Sequence, residues 1–181
     1  MIRRSRSTRV LPSLALACMA LGCTVIRTGE SLPDRAASLA AFDRLKSLEG
    51  TWRGQSTKGW TDRIVYRVLA GGSALIEDSF DAHPGEAMAT VFAPDGDRLL
   101  LTHYCAAKNQ PRLVLSAIED GGATLDFHFL DATNLKSRDV GHMDRVRITF
   151  VDADHFIARW TWFQDGKENW LEEIRHERVK G

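Results

Sequence analysis

From Gly50 to the end of the chain the hydrophobic pattern repeats every two residues, and this constrains the fold more than any other feature. Val146, Ile148 and Phe150 alternate with Arg145, Arg147 and Thr149; Phe156, Ala158, Trp160 and Trp162 alternate with His155, Ile157, Arg159 and Thr161. Successive side chains of a strand point to opposite faces, so this period marks half-buried strands. Turn-forming runs punctuate it: Ala70-Gly71-Gly72-Ser73, Pro94-Asp95-Gly96-Asp97, Glu119-Asp120-Gly121-Gly122, Asp152-Ala153-Asp154 and Gln164-Asp165-Gly166-Lys167. The pattern predicts ten strands, at 51–57, 62–69, 73–80, 86–92, 98–105, 111–118, 123–130, 144–151, 155–163 and 167–178.

Short strands joined by tight turns make an antiparallel meander, because parallel neighbours need long crossover connections. Left open, such a meander exposes two edges, and closure removes both. The expectation is therefore an all-β fold, a ten-stranded antiparallel up-and-down β-barrel with one N-terminal helix over 34–47. In that helix Asp34 stands near the start, Ala37, Ala40, Leu45 and Leu48 lean toward one face, and Glu49-Gly50 ends it. Barrels of about eight strands already hold one small ligand. In a meander alternate loops fall at opposite ends. The tight connections at 70–73, 94–97, 119–122 and 152–154 share one end, while those at 58–61, 81–85, 106–110, 131–143 and 164–166 share the other. This asymmetry predicts a closed floor and an open mouth, with binding groups on the mouth loops.

The first 22 residues carry Arg3, Arg4, Arg6 and Arg9, an apolar stretch from Val10 to Leu21, and no acidic residue; the first acid is Glu30. The stretch is too short to cross a bilayer and has the layout of a secretory signal peptide. It ends in Ala20-Leu21-Gly22-Cys23, which resembles the lipobox of bacterial lipoproteins. That resemblance implies a signal peptide at 1–22, lipidation (palmitate) at Cys23, a tether to residue 33 and a barrel domain over 34–181. Thr24 in place of Asp implies the outer membrane, with the barrel facing periplasm or surface; a secreted periplasmic protein is the alternative. With Cys18 lost and Cys23 lipidated, Cys105 is the one remaining thiol, which excludes a disulfide framework. Setting the four leader arginines aside, the 24 acidic residues exceed the basic ones by four, so no basic field remains to hold nucleic acid.

Leu48-Glu49-Gly50-Thr51-Trp52-Arg53-Gly54 resembles the Gly-x-Trp signature of the calycins, the lipocalins and fatty-acid-binding proteins. The resemblance implies that Gly50 and Trp52 are structural, with Trp52 at the barrel floor under a cation from the last strand. Arg175 and Arg178 are the candidates, and Arg175 is the one assigned here. The chain is also similar to uncharacterised bacterial lipocalin-like domains, some called haem-binding-like, and to the nitrobindin barrel. In the latter a glycine run follows Gly-Thr-Trp-x-Gly, where Gln55-Ser56-Thr57-Lys58-Gly59-Trp60 stands here.

Candidate binding groups gather at the predicted mouth. His103 and Cys105 share a strand face that Leu99 and Leu101 continue downward, and Asn109 and Gln110 follow on the same loop. The loop 131–143 carries Asn134, His142 and Met143 to the same end. Asp78 is expected inward on the third strand, with Arg112 or a histidine as partner, and Glu172 raises the same question on the last strand. Phe127, Phe129, Phe150, Phe156, Trp160, Trp162 and Trp170 either fill a core or line an apolar pocket; Trp160 and Trp162 are taken as ligand-binding. No phosphate loop, nucleophile elbow, His-Glu-x-x-His or Cys-x-x-Cys motif is present. The expectation is a cell-envelope lipoprotein, attached to a membrane by its lipid, that binds a small apolar or amphipathic molecule in its barrel without a cofactor. The alternatives are an enzyme working through His103 and Cys105, or a haem-binding barrel using His103 or His142.

Overall fold

A computed structural model describes residues 31–83 and 86–180; the leader and Cys23 lie outside the described residues. Helix α1 (Arg35–Lys46) precedes ten strands: β1 (Gly50–Ser56), β2 (Thr61–Leu69), β3 (Ala74–His83), β4 (Glu86–Asp95), β5 (Arg98–Tyr104), β6 (Gln110–Glu119), β7 (Thr124–Thr133), β8 (His142–Phe150), β9 (His155–Gln164) and β10 (Lys167–Arg178). Each strand pairs antiparallel with its sequence neighbour, and β1 pairs with β10, closing the barrel. The ten-stranded meander with one helix is thus the fold. Several strands run two or three residues further toward the mouth than the alternation predicts. The loop after β7 accordingly spans only 134–141.

The helix is capped by Asp34, whose carboxylate accepts from Ala37 N at 2.8 Å. Its buried face is Ser38, Ala41, Phe42 and Leu45, the i, i+3, i+4, i+7 positions of one helix face. Ala40 is exposed and Ala37 half-buried, contrary to the face read from sequence. Phe42 sets the orientation, because it is the bulkiest apolar side chain on the helix and two alanines gain little by burial. The helix packs on β4 and β5 and covers the floor.

Trp52 is the centre of that floor. It is 1% exposed, donates from Nε1 to Leu48 O at 2.7 Å, and meets Phe156 edge-on. The guanidinium over its ring belongs to Arg178, 4.1 Å from the centroid, which also donates to the carbonyls of Ser47, Glu49 and Ala153. Arg175 is exposed and pairs with Glu173 instead. Parity explains the correction: Ile174 and His176 face inward on β10, so Arg175 faces out, while Arg178 sits opposite Trp52 in register. Gly50, at φ +128°, leaves the room that Arg178 needs, since a Cβ there would lie 3.1 Å from Nη1. Above Trp52 the lower barrel is filled by Leu75, Phe92, Leu99, Leu101, Leu113, Leu125 and Phe127, all fully buried.

Candidate functional site

Beyond this packed layer polar side chains enter the barrel interior. The inward positions become Asp62 and Tyr66 on β2, Glu77 and Ser79 on β3, His103 on β5, and Glu172 and His176 on β10. With Trp60, Met88, Met143, Trp160 and the aliphatic Val146, Ile148, Ala158 and Ile174 they line a cavity of about 40 Å³, room for a few waters. Tyr66 Oη donates to Glu77 Oε2 at 2.8 Å, Ser79 Oγ to Asp62 Oδ2 at 3.1 Å, and Ser56 Oγ to Glu172. Gly54 lets β10 approach: a Cβ on it would fall 2.8 Å from Ile174 and 3.0 Å from the His176 ring.

The two histidines differ in their supports but share a protonation state. His103 Nδ1 lies 3.0 Å from Thr90 Oγ1 and its ring stands 4.9 Å from that of Trp160. His176 stacks on Phe156 with ring centroids 4.3 Å apart. Burial lowers the pKa of His103 to about 4 and that of His176 to about 3, so both are neutral near pH 7. His103 Nε2 and His176 Nδ1 are buried with no hydrogen-bond partner. Glu77 moves the other way. Burial raises it to about 7, Asp62 and Asp78 add to the rise, and the hydrogen bond from Tyr66 opposes it. Burial, followed by the neighbouring Glu77, pushes the Tyr66 phenol well above its ordinary value.

A second space, of about 380 Å³, opens at the mouth among Glu86, Met88, Cys105, Ala106, Ala107, Met143 and Trp162. Its walls are largely apolar, and Met88 and Met143 line both spaces. Cys105 is half-buried; its Sγ accepts from Ala107 N at 3.5 Å, and burial pushes the thiol pKa up. That is the reverse of thiolate activation.

The structure therefore places six of the sequence candidates at the two spaces: His103, Trp160 and Glu172 inside, Cys105 and Trp162 at the mouth, and Met143 at both. Asn109, Gln110 and Asn134 tie the mouth loops together. Asn109 Nδ2 donates to Gly141 O at 2.9 Å, Asn134 Nδ2 to Lys108 O, and Thr133 Oγ1 to Gln110 Oε1 at 2.7 Å. His142 is fully buried in a separate cluster with Phe129, Phe163 and Arg138, its Nδ1 against Val140 O at 2.6 Å. Asp78 is corrected outright: it lies on the outer face, paired with Arg67 at 2.5 Å, while Glu77 points in. Arg112, its expected partner, binds Asp131. The strand misleads because Ile76 and Phe80 face out, Phe80 being 45% exposed, and Leu75 alone carries the inward apolar signal.

Among the described residues no three His, Cys, Asp or Glu side chains converge to hold a metal ion. The haem candidates do not fit a porphyrin: His142 is engaged by Val140 and Arg138, and His103 faces a space of about 40 Å³. Sequence reasoning missed Asp62, Tyr66, Glu77, His176 and Met88. The run Asp62-Arg63-Ile64-Val65-Tyr66 held a signal, since Asp62 and Tyr66 share parity with the buried Ile64.

No family model matches the chain, and no curated protein does. Among solved structures, one of unknown function from the DUF3598 family of Nostoc punctiforme PCC 73102 superposes with a TM-score of 0.51 at 14% identity, over 75% of this chain and 49% of that one. The chain thus spans about half the length of that relative. Rv2717c from M. tuberculosis superposes with a TM-score of 0.49 at 14% identity, over 77% of this chain and 98% of that one. At such identity the first likeness supports the barrel fold alone.

Proposed function

We propose that the protein is a calycin-like binding protein of the bacterial cell envelope, anchored through a lipid on Cys23, that holds a small amphipathic molecule. The observation that carries the reading is the shared wall of Met88 and Met143, which sets a largely apolar mouth space beside an inner one whose apolar lining carries a few polar side chains. A ligand pocket combines an apolar body with a few convergent polar groups. Here the apolar part of the ligand lies against Trp162 and the two methionines, at the rim rather than deep inside. Its polar end reaches toward His103. The unpaired His103 Nε2 supports this, because a buried polar atom without a partner is costly until something fills the site.

The test is native mass spectrometry on the protein produced with its own leader and extracted gently from the host membrane. A retained small molecule, lost or weakened in Trp162→Ala, is the expected result. A protein that leaves the membrane empty and binds no member of an amphiphile panel overturns the reading. The anchor is tested separately, by palmitate incorporation that disappears in Cys23→Ser.

A further inference from the structure

We propose that the inner cavity receives the primary ammonium group of an amphipathic amine whose apolar chain occupies the mouth. The inference rests on the binding reading above and names the ligand class. Met88 and Met143 line both spaces, so a chain in the mouth that passes between these flexible side chains presents its end to the inner space, whose groups then select the head. The lining is largely apolar, and the polar groups set in it toward a head group include the Glu77 carboxylate, which accepts from the Tyr66 hydroxyl, and the His103 imidazole. No Lys or Arg is among the residues that line the cavity. A carboxylate or phosphate head would meet like charge and no cation, whereas an ammonium meets oxygens and a neutral ring nitrogen.

The second, independent observation is His103 itself. It is 5% exposed, its Nε2 has no partner, and its Nδ1 is already turned to Thr90, so the free nitrogen faces the cavity. Held neutral by burial, it accepts a hydrogen bond through that nitrogen when Nδ1 carries the proton. Trp160, beside His103, and Trp60 add aromatic faces of the kind that attract cations. Size then sorts the amines. About 40 Å³ admits a head the size of a water molecule, which a primary ammonium is and a trimethylammonium is not. An arriving cation also favours the ionised form of Glu77, completing the pair.

The experiment titrates the full chain with hexylamine, hexanol, hexanoate and hexyltrimethylammonium at pH 7, following the methyl NMR signals of Met88 and Met143. Hexylamine is expected to bind about tenfold or more tighter than the alcohol and the carboxylate, a ratio worth about 1.4 kcal/mol. The trimethylammonium compound is expected to gain nothing over hexanol. Glu77→Gln should bring the amine down to the level of the alcohol, while Trp162→Ala weakens both alike. Hexanol, hexanoate or the trimethylammonium compound binding as well as hexylamine overturns the ammonium assignment and leaves the mouth-binding reading standing. No response of either methionine to any of the four overturns both.

Discussion

The floor and the mouth half of this barrel are built to opposite rules. At the floor, Trp52, Leu48 and Arg178 satisfy one another: the indole donates to a carbonyl, and the guanidinium covers the ring and donates to three more. Around the inner cavity and the mouth loops, among the described residues, His103, His176 and Asn109 each leave a buried polar atom unpaired, and burial raises the Glu77 pKa to about 7. Unpaired buried groups are costly and native proteins hold few of them. Two of the three, on His103 and His176, belong to residues that line the inner cavity, so keeping that space open carries a cost in stability.

The largest expected effect breaks the floor. Trp52→Ala removes the largest fully buried side chain among the described residues and should lower stability by about 3–5 kcal/mol in denaturant unfolding. A loss below about 1 kcal/mol would mean that the floor is not where stability is concentrated. Arg178→Ala follows at about 2 kcal/mol, since it removes both the cation over the ring and bonds to three carbonyls. Arg178→Lys restores charge but not the planar fork, and should recover less than half of that. Arg175→Ala, on an exposed ion pair, should stay within about 0.5 kcal/mol, and equal losses from the two arginines would erase the distinction between them.

The upper half should answer to pH. The lowered pKa of His103 means that the folded state favours the neutral ring, so stability falls as pH drops from 6.5 toward 4. His103→Gln should flatten that acid limb, by on the order of 2 kcal/mol between pH 7 and pH 4. Glu77 carries the opposite sign. Its raised pKa gives a contribution that is full below about 4.5 and lost as pH rises through about 7. Glu77→Gln should therefore stabilise the protein at pH 8, by about 1–2 kcal/mol after allowance for partial exposure, and change little at pH 4. Destabilisation at both pH values would show that the Tyr66 bond outweighs the burial of the charge.

How legible each half was follows from the same contrast. The period-two pattern is strong where one face is apolar and the other charged, as in Val146-Arg147-Ile148, and there strands and parity were readable. On β3 the inward face carries Glu77 and Ser79 and the outward face Ile76 and Phe80, so the usual sorting is inverted at the site and the reading failed with it. Functional sites are where pattern and fold are expected to disagree. Arg175 failed for a geometric reason, since the cation over Trp52 is set by register with β1 rather than by nearness to the core in sequence. His103 and Cys105 were placed correctly on one face because Leu99 and Leu101 mark it.

The smallest expected effect lies in the floor turns. Ala70 and Asp120 open two turns of matching shape, each at φ 52° and each followed by two glycines at positive φ. The left-handed region costs an L-residue roughly 1–2 kcal/mol unless a short polar side chain bonds locally. Asp120 does so, accepting from Thr124 Oγ1 at 3.1 Å, whereas Ala70 has nothing to offer. Ala70→Asn should therefore raise stability by about 0.5 kcal/mol, seen as a small rise in melting temperature, while Asp120→Ala lowers it by a similar amount. Neither change should move the affinity for an amphiphile, because both turns lie at the far end of the barrel from Met88 and Met143. A shift in affinity from either would mean that floor and mouth are coupled through the wall rather than independent.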